Sequence, residues 1–377
     1  MSEQDLESWP SGPPKPVPEK FMPVRSSTVS PVLALIESIS MLTLLFFYLI
    51  SEVEYTDMAK HAEKVMAANG VDNIVTVIQG AVEEIELPIE KDGLVSDDPE
   101  HPERVVDIII SEWMGYFLLR ESMLDSIVRA RDKFLKPATG LMYPSHCTMY
   151  IAPVQDEDER RTGGNEYSGA MSDWQDFAET TKQTYGVNME ILQKDFDREQ
   201  KEYFLWSSRW TELVPEAVLA EPKAIKYLDM MTCTVQDARG IGDDEPMRTF
   251  DFTIVGSNDV RGPVSALAGW FTADFKSRTD EAGAGAPKLS HPSFLSTGPE
   301  NGYTHWGQQT FYFGSSLPLL QGETTNIQGS LEMMRTKENA RLYNCKINYQ
   351  SSRKKTDDKD GPVLMKSAMI EQIYQMP

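Results

Sequence analysis

The chain has 377 residues, with 58 acidic against 36 basic side chains, a net charge of −22 and a hydrophobic fraction of 40%. This length is enough for two domains with separate cores. The acidic balance argues against a general nucleic-acid binder, which needs a basic face, and favours basic partners. Cys147, Cys233 and Cys345 are far apart and the five histidines are scattered, so no metal site is expected and a reducing compartment is implied.

In chain order, residues 1–30 are rich in proline, serine and charge and read as a disordered tail. Their acidic start does not suit a signal peptide. From Pro31 to Ile50 the chain is apolar, but the uncharged part after Glu37 covers only 13 residues. A membrane-spanning helix needs about 20, so a buried strand or helix is expected and no membrane contact. Met58, Ala62, Val65 and Met66 are spaced as one face of a helix over 57–69, and Gly70 stands where a C-terminal cap belongs. A strand is expected at Asn73–Ile78, an acidic loop at Lys91–Arg104, a strand at Val105–Ile110 and a helix at Glu121–Phe134. This alternation predicts a parallel α/β domain over 31–144.

From Ser145 the texture changes. Thr148–Ala152, Met230–Val235, Phe250–Val255, Val264–Phe275, Thr310–Phe313 and Leu342–Tyr349 read as short strands, which predicts an antiparallel barrel or sandwich over 145–350, with 351–377 as a C-terminal segment. A helical insertion of about 160–225 follows the first of these strands. It carries Trp174, Phe177, Tyr185, Phe196, Tyr203, Phe204, Trp206 and Trp210, and such an aromatic segment outside both cores suits docking onto another chain.

The stretch with chemical content runs from Ser111 to Leu124. It follows the apolar strand, so its carboxylates fall at the carboxyl edge of a sheet, where open α/β folds bind ligands. Glu112 and Glu121 lie nine positions apart, and Gly115 lets the chain turn back between them. Two such carboxylates suit a planar cation with several donors, and guanidinium is that cation. Trp113, Met114, Tyr116, Phe117, Leu118 and Leu119 make the loop too apolar for simple solvation and fit a pocket wall.

Ser111–Leu124 resembles the double-glutamate loop of the protein arginine methyltransferases. Tyr303-Thr304-His305-Trp306 resembles their Thr-His-Trp loop, Glu54–Ala62 their ribose-holding segment, and Gly80–Pro88 their adenine-contacting segment. The likeness runs from about residue 52 to about 350 in family order. It implies a Rossmann-like, S-adenosylmethionine-dependent methyltransferase domain followed by an antiparallel β-barrel with a helical dimerisation arm. It implies methyl transfer to guanidinium nitrogens of protein arginines, on histones or Arg/Gly-rich RNA-binding proteins, in the cytoplasm or nucleus, by a homodimer that needs no metal. By position it makes Glu112 and Glu121 catalytic and gives Glu54, Val82, Glu83 and Met123 to the cofactor. Trp113, Met114, Tyr116, His305 and Trp306 fall on the substrate side. Met123 in the place of the family's methionine implies asymmetric dimethylation.

The family's glycine-rich turn after the first strand has no counterpart. Val32–Ser40 occupies its place, and no glycine stands between Gly12 and Gly70. By the resemblance, side chains there would fill space that the cofactor's methionine end requires. Two readings follow: a catalytically inactive relative that serves as a scaffold, or a mis-set exon boundary that replaced the start of an active enzyme. The abrupt onset of likeness at Glu54 favours the second.

Overall fold

The computed structural model describes residues 49–52, 58–87, 96, 98–256, 262–278, 283, 285–358 and 361–376. Glu54, the Val32–Ser40 segment and most of the apolar 31–50 run lie outside the described residues, so the expectations placed on them have no structural counterpart.

The first part contains β1 (Leu49–Glu52), α1 (Met58–Ala68), β2 (Val75–Ile78), β3 (Ile108–Ile110), α2 (Leu124–Phe134) and β4 (Leu141–Tyr143). β1 pairs with β2 and β3 with β4, both in parallel. Ala59, Ala62 and Met66 bury the apolar face of α1, and Gly70 ends it with φ +66°. The spacing predicts that α2 begins at Glu121. It starts at Leu124 instead, because Glu121 and Ser122 take left-handed conformations (φ +83° and +59°) that cannot belong to a right-handed helix.

The second part begins with β5 (His146–Val154) and rises into two helices, α3 (Glu157–Tyr185) and α4 (Gln193–Phe204). Trp174 of α3 stacks on Phe196 of α4, with ring centroids 4.5 Å apart. Tyr167 also donates to Asp197 at 2.5 Å. The chain returns through β6 (Arg209–Thr211) and β7 (Lys223–Asp229), so the tail of the expected insertion is strand.

Met230–Val235, expected as a strand, is a turn. Its amides bond back to Asp229 and forward to Asp237: Met231 N to Asp229 Oδ1 at 2.9 Å, Cys233 N to Asp229 O at 2.8 Å, and Thr234 N to Asp237 Oδ2 at 2.7 Å. Aspartates at both ends offer the backbone partners that a ladder would otherwise supply.

Then come β8 (Gly240–Ile241), β9 (Thr249–Val255), β10 (Val264–Phe275), β11 (Ser293–Ser296), β12 (Gln308–Leu317), β13 (Glu323–Arg335), β14 (Tyr343–Lys355), β15 (Met365–Lys366) and β16 (Ile370–Met376). They form two antiparallel sheets. One runs β6-β12-β10-β5-β7, with β11 on β10; the other runs β15-β14-β13-β8, with β9 on β13 and β16 on β14. The expected C-terminal segment thus adds β15 and β16 to the second sheet. Strand β10 is buried on both faces along most of its length, so it shows no alternation.

One apolar cluster runs from Val82, Ile109, Trp113 and Phe134 in the α/β part to Phe271, Phe311, Ile347 and Tyr374 in the strands. The loop after β3 stands where this shared core crosses from one part to the other. Among the described residues no helix is long and apolar enough to cross a membrane.

Candidate active site

The loop after β3 is a tight double turn. Ser111 N donates to Tyr143 O at 2.9 Å, which continues the β3–β4 pairing into the loop. Gly115 N donates to Leu118 O, Leu119 N to Phe117 O and Arg120 N to Tyr116 O. Phe117 (φ +47°) and Leu118 (φ +67°) are left-handed, an uncommon state for bulky side chains that persists only where the surroundings hold it. Gly115 is required, because a Cβ there would lie 1.9 Å from Arg120 O.

The strands and the loops between them grip this turn at three places. Phe117 packs on the backbone of Gly269 in β10 and against Phe311 of β12, with ring centroids 5.8 Å apart. Trp306 Nε1 donates to Met114 O at 2.7 Å. At the far end, Glu121 N donates to Arg341 O at 2.9 Å, and Ser122 Oγ donates to Ala340 O and lies 3.1 Å from Tyr343 Oη. A further clamp sits just beyond: Arg335 donates to both oxygens of Asp125 at the start of α2, and its Nε donates to Tyr343 Oη at 2.9 Å.

The turn brings Glu112 and Glu121 within electrostatic reach of each other. Partial burial of the Glu112 carboxyl raises its pKa above the usual glutamate value; the Met114 amide opposes this and the negative charge of Glu121 adds to it. The Glu112 side chain as a whole remains exposed to solvent. Glu121 is half-buried and faces two guanidinium groups, Arg341 Nη2 at 3.0 Å and Arg120 Nη1 at 3.7 Å.

The remaining expected site residues fall into three groups. Trp113 and Met114 are buried in the core, so they form the wall behind the loop rather than an open surface. Tyr116 is half-exposed under the Arg120 guanidinium, and His305 is exposed with its ring 3.8 Å from that of Trp306. Val82 is buried, whereas the exposed Glu83 accepts from Ser126 Oγ at 2.8 Å, which ties its segment to α2. Met123 caps the start of α2 and packs on the core. Ser111 Oγ, Trp113 Nε1 and Arg120 Nε are buried with no hydrogen-bond partner among the described residues. Among the described residues no cluster of histidine, cysteine or acidic side chains has the geometry of a metal site.

Sequence reasoning missed Arg341, Arg335 and Asp125. Arg341 is 220 positions from Glu121, and no local pattern marks it as a neighbour.

Residues 145–354 match the family model described as the arginine methyltransferase oligomerization subdomain. The chain is 38% identical over 298 residues to protein arginine N-methyltransferase PRMT10 of Arabidopsis thaliana, spanning 78% of this chain and 69% of that one. It is 40% identical over 300 residues to PRMT10 of Oryza sativa subsp. japonica, spanning 79% and 70%. Its fold matches the crystal structure of Arabidopsis thaliana protein arginine methyltransferase 10, described as uniquely open, with TM-score 0.70 and 34% identity over 86% of this chain and 82% of that one. The Trypanosoma brucei PRMT1 enzyme-prozyme heterotetramer with AdoHcy shares the fold at TM-score 0.55 and 22% identity, covering 88% and 82%.

Proposed function

The chain belongs to the protein arginine N-methyltransferase family, and on that premise we propose that it methylates protein arginines held between Glu112 and Glu121. The observation that carries the reading is that these two carboxylates stand on one tight turn held at both ends by the strand-rich part of the chain, through Trp306 at Met114 and through the 340–341 turn at Glu121 and Ser122. A guanidinium is a poor nucleophile because its charge is delocalised. Two carboxylates that accept from its outer nitrogens localise that charge and aim the remaining nitrogen. Fixed geometry of this kind can contribute on the order of 7–11 kcal/mol of the barrier, and charge attraction adds to it once the bound substrate excludes water.

S-adenosylmethionine would supply an electrophilic methyl group. Among the described residues Val82, Glu83 and Met123 would face it, and the Glu83–Ser126 bond joins that segment to the helix that starts at Met123. Ser111 Oγ and Arg120 Nε fit a site completed by polar ligand groups. Met123 holds the place of the family's methionine, where it would stand beside the target nitrogen, and this favours asymmetric dimethylation. The net charge of −22 suits basic substrates such as histone tails or Arg/Gly-rich RNA-binding proteins. Exposed Phe177, Ile191 and Tyr203 on the helical arm suit a homodimer. The three free cysteines fit the cytoplasm or nucleus.

The test is transfer from radiolabelled S-adenosylmethionine to an arginine peptide. Glu112→Gln and Glu121→Gln are each expected to abolish transfer while leaving the chain folded. Near-normal turnover in either variant would sink the two-carboxylate reading. A second reading, a scaffold that binds arginine partners without catalysis, rests on the lack of glycine between Gly12 and Gly70. Calorimetry with S-adenosylhomocysteine separates the two: micromolar binding supports the enzyme, and no binding supports the scaffold.

A further inference from the structure

The Glu121 carboxylate already carries a guanidinium from its own chain. Arg341 sits in the turn between β13 and β14, and its Nη2 donates to Glu121 Oε2 at 3.0 Å. The backbone of that turn is fixed independently of the side chain. Arg341 O accepts from Glu121 N at 2.9 Å, Arg341 N donates to Asn339 Oδ1 at 3.0 Å, and Ala340 O accepts from Ser122 Oγ. The Arg341 side chain is 60% exposed, so it can swing into solvent without disturbing these bonds. Its hydrogen bond engages Glu121, and none to Glu112 is present among the described residues.

We propose that Arg341 is a built-in competitor for the substrate guanidinium at Glu121, and so sets how tightly the site takes a target arginine. This rests on the reading of Glu112 and Glu121 as the arginine clamp. The incoming group and Arg341 have the same donors and seek the same oxygen. A substrate arginine therefore binds only the fraction of molecules in which Arg341 has left, and its apparent affinity is lowered by that fraction. The substrate displaces Arg341 because it can bond both carboxylates, whereas Arg341 bonds one. An exposed ion pair of this type shifts an equilibrium by about two- to fivefold, which makes it a discriminator rather than a block. Ligands that engage Glu121 alone gain nothing over Arg341, and those that reach Glu112 as well do.

The full-length chain and its Arg341→Ala and Arg341→Lys variants would be titrated against a fluorescein-labelled Gly-Gly-Arg-Gly-Gly peptide by fluorescence anisotropy. The same peptide would be used for transfer kinetics. Arg341→Ala should bind about two- to fivefold more tightly and lower KM by the same factor, with kcat changed by less than about twofold. Arg341→Lys, which keeps the charge but loses the planar fork, should fall between the alanine variant and the natural chain. Unchanged or weaker binding by Arg341→Ala, in a background where Glu121→Gln still abolishes peptide binding, overturns the competitor role and leaves the clamp intact. Peptide binding indifferent to Glu121→Gln overturns the clamp and this inference together.

Discussion

The contact between Gly269 and Phe117 makes the dependence of the site on the strands measurable. Gly269 lies mid-strand in β10, paired with Ile151 of β5 on one side and Gln309 of β12 on the other. A Cβ there would stand 2.3 Å from Phe117 Cε2 and 2.5 Å from Cζ, far inside van der Waals contact. The strand cannot yield, because ladders hold it on both sides. Phe117 cannot yield cheaply, because the residue is 2% exposed, its ring packs near Phe311, and it belongs to a turn already in left-handed conformations. Gly269→Ala therefore overpacks a closed site, at a cost of about 1–3 kcal/mol. With an unfolding entropy of about 2.1 cal/mol/K per residue, a domain pair of this size loses roughly 1–4 °C in Tm. The strain should also displace the turn that carries Glu112 and Glu121, so peptide affinity and transfer should fall by more than the stability loss explains. Phe117→Leu in the Gly269→Ala background should recover part of both losses, since neighbours in contact couple by about 0.5–3 kcal/mol. Scanning calorimetry and anisotropy titration would measure these. A Gly269→Ala variant with unchanged Tm and unchanged peptide affinity would refute the claim that this contact positions the loop.

Two other outcomes follow from the same structure. Burial, with the added charge of Glu121, holds the Glu112 carboxyl above its ordinary value of 4.5 despite the Met114 amide. Peptide binding should therefore weaken, as pH falls, sooner than an ordinary glutamate predicts, and Glu112→Gln should remove that part of the profile. For stability the sign is the opposite of a salt-bridged acid. The folded chain binds the extra proton, so this contribution is present below 4.5 and is lost as pH rises through the raised folded value; a denaturation series on Glu112→Gln should lack that slope. On the arm, Phe177, Ile191 and Tyr203 are 51%, 83% and 70% exposed. Replacing all three by serine should convert a dimer to monomer in analytical ultracentrifugation, since each buried side chain of this size is worth about 1.5–3 kcal/mol. An unchanged sedimentation coefficient would remove the arm from the interface.

Local pattern carried much of the fold. Helix α1, its Gly70 cap and strands β2, β9 and β10 follow from spacing and side-chain type, because each is decided by residues within one turn or one strand. The misses share a cause. Met230–Val235 alternates like a strand, yet carboxylates at Asp229 and Asp237 capture its amides first. Strand β13 has no clear signature in the sequence, because its residues alternate weakly and the pairing with β9 and β14 decides it. Helix α2 loses its expected first turn because Glu121 N is bonded to Arg341 O, from a distant part of the chain.

The candidate site divides in the same way. The pair Glu112 and Glu121, the pivot at Gly115 and the downstream Thr304-His305-Trp306 run are legible in the sequence, since covalent order alone puts two carboxylates on one short turn. Only the folded chain reveals that Phe117 rests on Gly269 and that Trp306 holds Met114 O. The same is true of Arg341 on Glu121, 220 positions away. Residue types and their local order determine which groups can perform the chemistry. Their separation, their burial and their competitors depend on contacts between distant segments, and those exist only once the shared core has closed.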